Sequence, residues 1–357
     1  MRNKEEIQEV LDYFQAIEGK TLDYDEEAIV AAYHIIEDNQ SLAIKILSVF
    51  GGILASLAFM GFLFIAGLSN TPIGMSIFGV LSIAGAIFIN MKYNKIVIDT
   101  GSVSIFIIGF LLLGFGLSQL RVPENILSLI FIIIALSTLC IVQNYILSFI
   151  SLLIISGSIL ALILSNNAFD LIHVYVSSLA LILTYVFLKE AKLLKASRAL
   201  SKLYDPIRIG LIFSFFAGLI FLSKKGILPV SPDFIWLSSI VIIGMIFYLV
   251  SILFNILGIA KVQNKFIVYI FCTLILIPTA FSPAISGAIL IILLSFWTNY
   301  KTGLVLSIIA FIYFISQYYY DLNFTLLTKS MLLFSSGLLF ILFYLITQKK
   351  MTTNEKV

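Results

Sequence analysis

Charge is what this chain has least of. Asp, Glu, Lys and Arg together make up 11% of its 357 residues, against roughly 25% in a soluble globular domain. So few charges do not cover the water-facing surface of a protein this long, which excludes an ordinary soluble fold. Cysteine is almost missing as well. Cys140 and Cys272 each stand inside an apolar run, where a thiol behaves as a small hydrophobe, so neither a disulfide framework nor a thiolate metal site is expected. The only histidines are His34 and His173. Neither has a partner at a spacing such as HExxH, and both read as surface or interface residues. No glycine-rich loop cradles a phosphate, and no acid or base falls in the middle of an apolar run. Ion-coupled carriers usually bear the cost of such buried charges because function needs them. The expectation is therefore a protein that is not an enzyme, with no catalytic residue, no metal, no cofactor and no nucleic-acid partner.

What is present is apolar length. Hydrophobic residues make up 61% of the chain, and the mean hydropathy is +1.10. A bilayer-crossing helix needs roughly 17–25 apolar residues. Runs of about that length recur at 46–68, 73–89, 103–120, 126–142, 145–164, 171–188, 209–222, 234–257, 266–280, 283–297, 303–317 and 331–346. They lack the ~10-residue alternation of a membrane barrel. The lipid bilayer is thus the first expected partner, and the fold class is an all-α polytopic membrane protein of about twelve spans.

The N-terminal 1–45 is different. It holds eleven acids and four Lys/Arg, net −7. Ile7, Val10, Leu11, Phe14 and Ile17 follow helical spacing, as do Ile29, Ala32, Tyr33 and Ile36. Asn3 with Glu6 and Asp23 with Glu26 resemble capping pairs. These features read as a small acidic helical hairpin, too small to be an independent domain. The first apolar run follows it as a signal anchor.

Positively charged residues favour the cytoplasmic side of short loops. With the N-terminus inside and twelve spans, inner segments hold 18 Lys/Arg and outer loops 4. If runs nine and ten cross only once, the tally becomes 15 against 7. The sequence therefore reads as N-in and C-in, with spans 1–6 over 46–188, a basic cytoplasmic loop at 189–208, spans 7–12 over 209–346 and a cytoplasmic tail at 347–357. The central loop, KEAKLLKASRALSKLYDPIR, offers a basic surface in Lys189, Lys192, Lys195, Arg198 and Lys202, with Arg208 closing it. Leu193, Ala196, Leu200, Leu203 and Tyr204 supply an apolar face. It reads as an amphipathic helix on the anionic leaflet; docking of the acidic hairpin is the sharper alternative. A six-plus-six layout invites comparison with major facilitator transporters, yet the loop after the second run, NMKYNKIVIDTG, lacks their signature.

Glycines gather early, including Gly79, Gly85, Gly109 and Gly114, and read as close helix packing. Pro278 and Pro283 interrupt runs nine and ten and read as a short outer turn. Asn90, Asn144 and Asn255 lie near run ends, where either a neighbouring helix or water serves them.

One stretch gathers polar chemistry: SQYYYDLNFTLLTKS, 316–330. On the twelve-span reading, 318–330 is an outer loop. Tyr318, Tyr319 and Tyr320 fit an aromatic belt at the membrane–water boundary, and Asp321 or Asn323 suits a helix cap. The segment FISQYYYDLNFTLLTKSMLLFSSGLLFIL resembles the C-terminal signature of a bacterial multi-pass membrane family, the domain of unknown function 4401. Tyr319, Tyr320, Asp321, Thr325, Leu326, Leu327, Lys329, Ser330 and Gly337 carry the resemblance. It implies a bacterial inner-membrane protein with no established reaction and a membrane-anchored protein partner bearing a GDY-type motif. Two functional expectations follow. One is a non-enzymatic component of a membrane or envelope assembly that uses the acidic hairpin and the outer loop as contact surfaces. The other is a transporter or flippase for a hydrophobic or lipid-like substrate.

Overall fold

A computed structural model of the chain describes residues 42–92, 96–224, 226–256 and 262–321, with isolated positions between Leu327 and Ile341. Every regular element among the described residues is a helix. The chain divides into two compact units, Met1–Leu113 and Gly114–Val357. The acidic hairpin, the C-terminal tail and most of the last apolar run lie outside the described residues.

The first unit holds α1 (Leu42–Ile65), α2 (Pro72–Lys92) and most of α3 (Ile96–Gln119). Gly67, at φ 89°, turns the chain after α1. That is a left-handed conformation that favours glycine. Pro72 opens α2, at a position where its missing N–H costs nothing. α2 and α3 cross in backbone contact. A Cβ on Gly79 would meet the Leu113 nitrogen at 2.7 Å and the Gly109 oxygen at 2.8 Å. A Cβ on Gly109 would meet the Ile83 Cγ1 at 2.6 Å. Two glycines are thus what lets the helices touch, as expected for packing without a hydrophobic driving force. Met75, Ile108 and Leu112 fill the seam, and the buried Asn90 donates from Nδ2 to Ser102 Oγ at 3.3 Å. Not every early glycine works this way, for a Cβ on Gly85 would meet nothing within 4 Å.

The second unit is built around one helix. Its elements are α4 (Glu124–Ile141), α5 (Tyr145–Ser165), α6 (Leu171–Leu188), the short α7 (Glu190–Ala196), α8 (Arg198–Ser223), α9 (Ile235–Ile256), α10 (Val262–Leu276), α11 (Pro283–Trp297) and α12 (Lys301–Asp321). α8 packs against α5, α6, α11 and α12. Ile212, Phe215 and Leu219 on α8, Leu183 and Ala180 on α6, and Ala288 on α11 are completely buried. The middle of this unit is therefore filled with side chains. Asn144 caps α5 by accepting from the Ile146 and Leu147 amides, so this end-of-run asparagine serves its own helix.

Two stretches differ from the sequence reading, and a third, the proline turn, agrees with it. The central loop is not one amphipathic helix. Ser197 is extended, and its hydroxyl accepts from the Leu200 amide at 3.1 Å. This N-cap ends α7 and starts a 26-residue helix that runs straight through Pro206. Residues 198–208 therefore form the first turns of α8. At the other end, Tyr318, Tyr319, Tyr320 and Asp321 are the last turn of α12, not a loop. Between α10 and α11 the chain makes a 3-10 turn over Pro278–Phe281, and Pro283 opens α11. Breaking a helix frees backbone carbonyls that lipid cannot satisfy. Here the Ser239 hydroxyl of α9 donates to the Ala280 carbonyl at 2.6 Å.

Eight helices among the described residues are long and apolar enough to cross a membrane: α2, α3, α4, α5, α6, α8, α9 and α12. Two shorter apolar helices lie at 265–281 and 283–297. Large hydrophobics such as Phe88, Ile133 and Ile240 are more than half exposed. In water such surfaces aggregate or bind; they suit a bilayer.

Candidate functional site

Charged chemistry in the second unit collects at its two ends, while between them the Tyr175 hydroxyl joins Ser156 of α5 to the Ser214 carbonyl of α8. At one end, the first turns of α6 and α11, the last turns of α8 and α12 and the start of α9 enclose a cavity of about 520 Å3. His173, Ser223, Lys224, Ser231, Ser282, Tyr318 and Asp321 give it polar groups, and Phe221, Leu222, Leu228, Ile235 and Phe281 give it apolar wall. A neighbouring cavity of about 520 Å3 is lined by Asn167, Asp170, Phe234 and again His173. The Asp170 carboxylate accepts from the Ser231 amide at 2.9 Å, which ties the α8–α9 connection to the start of α6.

His173 is not a surface residue. It is fully buried, because the third position of α6 faces α9. Its Nδ1 lies 3.0 Å from Ser238 Oγ. The Ser238 hydroxyl also lies 3.2 Å from the Ile235 carbonyl; in the tautomer where it donates there, its oxygen accepts from Nδ1–H. In that tautomer Nε2 is an acceptor, buried and without a partner among the described residues. Asp321 is steadied by Gln317, whose Nε2 donates to Oδ2 at 3.2 Å one helical turn earlier.

The opposite end holds a caged arginine. Arg208 is buried, with its guanidinium over the rings of Tyr300, Tyr204 and Phe187. It pairs with Asp205 at 2.6 Å and with Glu190 at 3.5 Å. In sequence, Arg208 stands at the rim of the basic central loop. The signal was present, for Arg208 stands four residues after Tyr204 and eight after Leu200, on the apolar stripe itself. Burial pushes the Tyr300 phenol above its ordinary pKa of 10.0; Asp205 adds to the rise and Arg208 opposes it.

The structure divides the residues singled out in the sequence. Lys189, Lys192, Lys195, Arg198 and Lys202 are all exposed, near the caged arginine's end of the bundle. Asp321 lines the cavity. Tyr319 and Tyr320 meet edge to face at 5.9 Å, with Tyr320 turned out of the bundle at 78% exposure. The exposed Ser330 donates to the Leu327 carbonyl at 2.9 Å. Thr325 and Lys329 lie outside the described residues, as does the side chain of Asn255. Among the described residues, no three His, Cys, Asp or Glu side chains come together as a metal site.

A family model described as Domain of unknown function (DUF4401) matches residues 41–350. The chain belongs to this family. The match covers nearly all of the apolar chain, both polar ends and the C-terminal segment that suggested the resemblance. No curated protein and no solved structure matches the chain.

Proposed function

We propose that this DUF4401 protein is a twelve-span protein of the bacterial inner membrane, with both termini cytoplasmic, and that it acts as a non-enzymatic component of a membrane or envelope assembly. The eight membrane-length helices, α1, the two short helices and the apolar run 331–346 together supply twelve crossings. The excess of Lys/Arg on alternate loops supports the orientation. On that orientation, the caged Arg208 and the exposed lysines face the cytoplasm, and the His173 cavity faces outward.

The observation that carries the assembly role is the filled middle of the second unit. Charged groups concentrate at its ends, over a core of fully buried Leu183, Ile212, Phe215 and Ala288 in which the polar groups are small hydroxyls and the Tyr175 phenol. A bundle of that form offers charged surfaces at both membrane faces, with no charged side chain between them among the described residues. Tagged at its native level and purified in mild detergent, the protein is expected to carry a membrane-anchored partner at fixed stoichiometry. A chain that purifies alone at every detergent strength contradicts this.

Transport of a hydrophobic or lipid-like substrate is the second reading. One observation favours it: the His173 cavity abuts the break between the two shortest apolar helices. Broken helices beside a cavity are a common form of transporter site. Substrate-dependent flux in vesicles holding the purified chain alone would establish transport and displace the assembly role.

A further inference from the structure

We propose that the cavity between the ends of α6, α8, α11 and α12 is a binding site for a primary ammonium group carrying a neighbouring phosphate, as in a phosphoethanolamine lipid head group. The floor supplies the first requirement. With Ser238 donating to the Ile235 carbonyl, His173 carries its proton on Nδ1, and the buried Nε2 is an acceptor without a donor among the described residues. An unmet buried acceptor is costly, and a ligand with an N–H or O–H relieves that cost. The walls supply the second requirement. Lys224 and Asp321 line the same cavity with opposite charges, and Gln317 holds one Asp321 oxygen in place. A ligand bearing both signs satisfies both groups, whereas an anion alone meets Asp321 and a cation alone meets Lys224.

Position selects the source. The cavity is made of helix termini, so in a spanning bundle it lies at the depth of lipid head groups. Phe281, 77% exposed, and Phe221 stand beside the polar groups and offer apolar contact where acyl chains begin. Its volume of about 520 Å3 falls within the roughly 300–1,000 Å3 of small-molecule sites. The chemistry excludes phosphatidylcholine as an equal ligand, because trimethylammonium has no N–H to give His173. It also disfavours purely anionic lipids, which Asp321 repels. The inference rests on the bundle lying in a bilayer and is independent of whether the chain also docks a partner.

The test uses the full chain in detergent and titration calorimetry, with dihexanoyl phosphatidylethanolamine, dihexanoyl phosphatidylcholine and soluble phosphoethanolamine as probes. The ethanolamine lipid is expected to bind at one site at least about tenfold tighter than the choline lipid, a difference of about 1.4 kcal/mol. Soluble phosphoethanolamine should compete, more weakly if the lipid is the ligand and equally if the free zwitterion is; either result keeps the head-group assignment. D321N and H173F should each bring the ethanolamine lipid down to the choline value. H173Q, which restores an acceptor, should recover part of the difference. K224Q should weaken both lipids by the same factor. Equal binding of the two lipids to the wild-type chain overturns the proposal. So does a well-folded D321N that keeps the full preference, which guards against loss of fold in the histidine variants.

Discussion

The guanidinium carbon of Arg208 lies 3.7 Å from the centroid of the Tyr300 ring. Tyr204 and Phe187 flank the same group at 4.9 and 5.7 Å. Through one side chain, α6, α8 and the turn between α11 and α12 are held together, and Glu190 brings in α7 at 3.5 Å. Its acids are partly solvated, Asp205 at 62% side-chain exposure and Glu190 at 32%. Water therefore screens the ion pairs, and ring stacking and packing supply most of the stabilisation.

Arg208→Lys is expected to behave more like Arg208→Ala than like the wild type. Lysine keeps the charge but loses the planar fork that stacks on Tyr300 and reaches two acids at once. Stacking of this kind contributes about 0.5–2 kcal/mol, so both variants should lower the thermal midpoint in detergent. A lysine variant as stable as wild type would show that charge alone matters.

Tyr300 predicts how this end responds to alkali. Burial, with help from Asp205, raises the folded pKa of its phenol above 10.0. The folded state thus holds the proton more tightly than the unfolded state. Its contribution is fully present below about pH 10 and is lost as pH rises through the folded value. Tyr300→Phe has no such proton. Thermal midpoints measured from pH 8 to 11 should therefore fall more steeply in the wild type than in the variant above pH 10. Parallel curves would place the phenol in an ordinary environment.

The α2–α3 crossing separates two glycines that look alike in sequence. Gly79→Leu places a side chain against Leu113 and Gly109 backbone, and overpacking of this kind costs about 1–3 kcal/mol. Gly85→Ala meets nothing within 4 Å and should be neutral or slightly stabilising, since alanine is the better helix former. Unfolding curves for the two variants check this, and equal destabilisation would contradict the backbone contact.

Much of the architecture was legible because the signals are local. Apolar runs gave the helices, and the prolines gave the turn between α10 and α11 with its helix start at Pro283, whereas Asn144 serves its own helix and neither a neighbour nor water. The sites were less legible because they depend on direction. His173 was placed correctly near a helix end, but whether its ring faces lipid or α9 is decided by packing. Arg208 was assigned to a loop because charge outweighed its place on the apolar stripe, and because Pro206 suggests a helix start, not a residue within one. The YYYD segment was read as a loop, yet Gln317 and Asp321 stand one turn apart and bond across it. Lys224 drew no notice, since only the meeting of distant helix ends puts it beside Asp321.

On this reading the protein works through its two ends and not through its middle. Site-specific photo-crosslinking in intact cells tests this most directly, with the reactive group placed at Tyr320, at Lys192 and at the exposed mid-helix Ile133. A discrete protein adduct is expected from Tyr320 or Lys192, and only lipid adducts from Ile133. Lipid adducts alone from all three positions would contradict it.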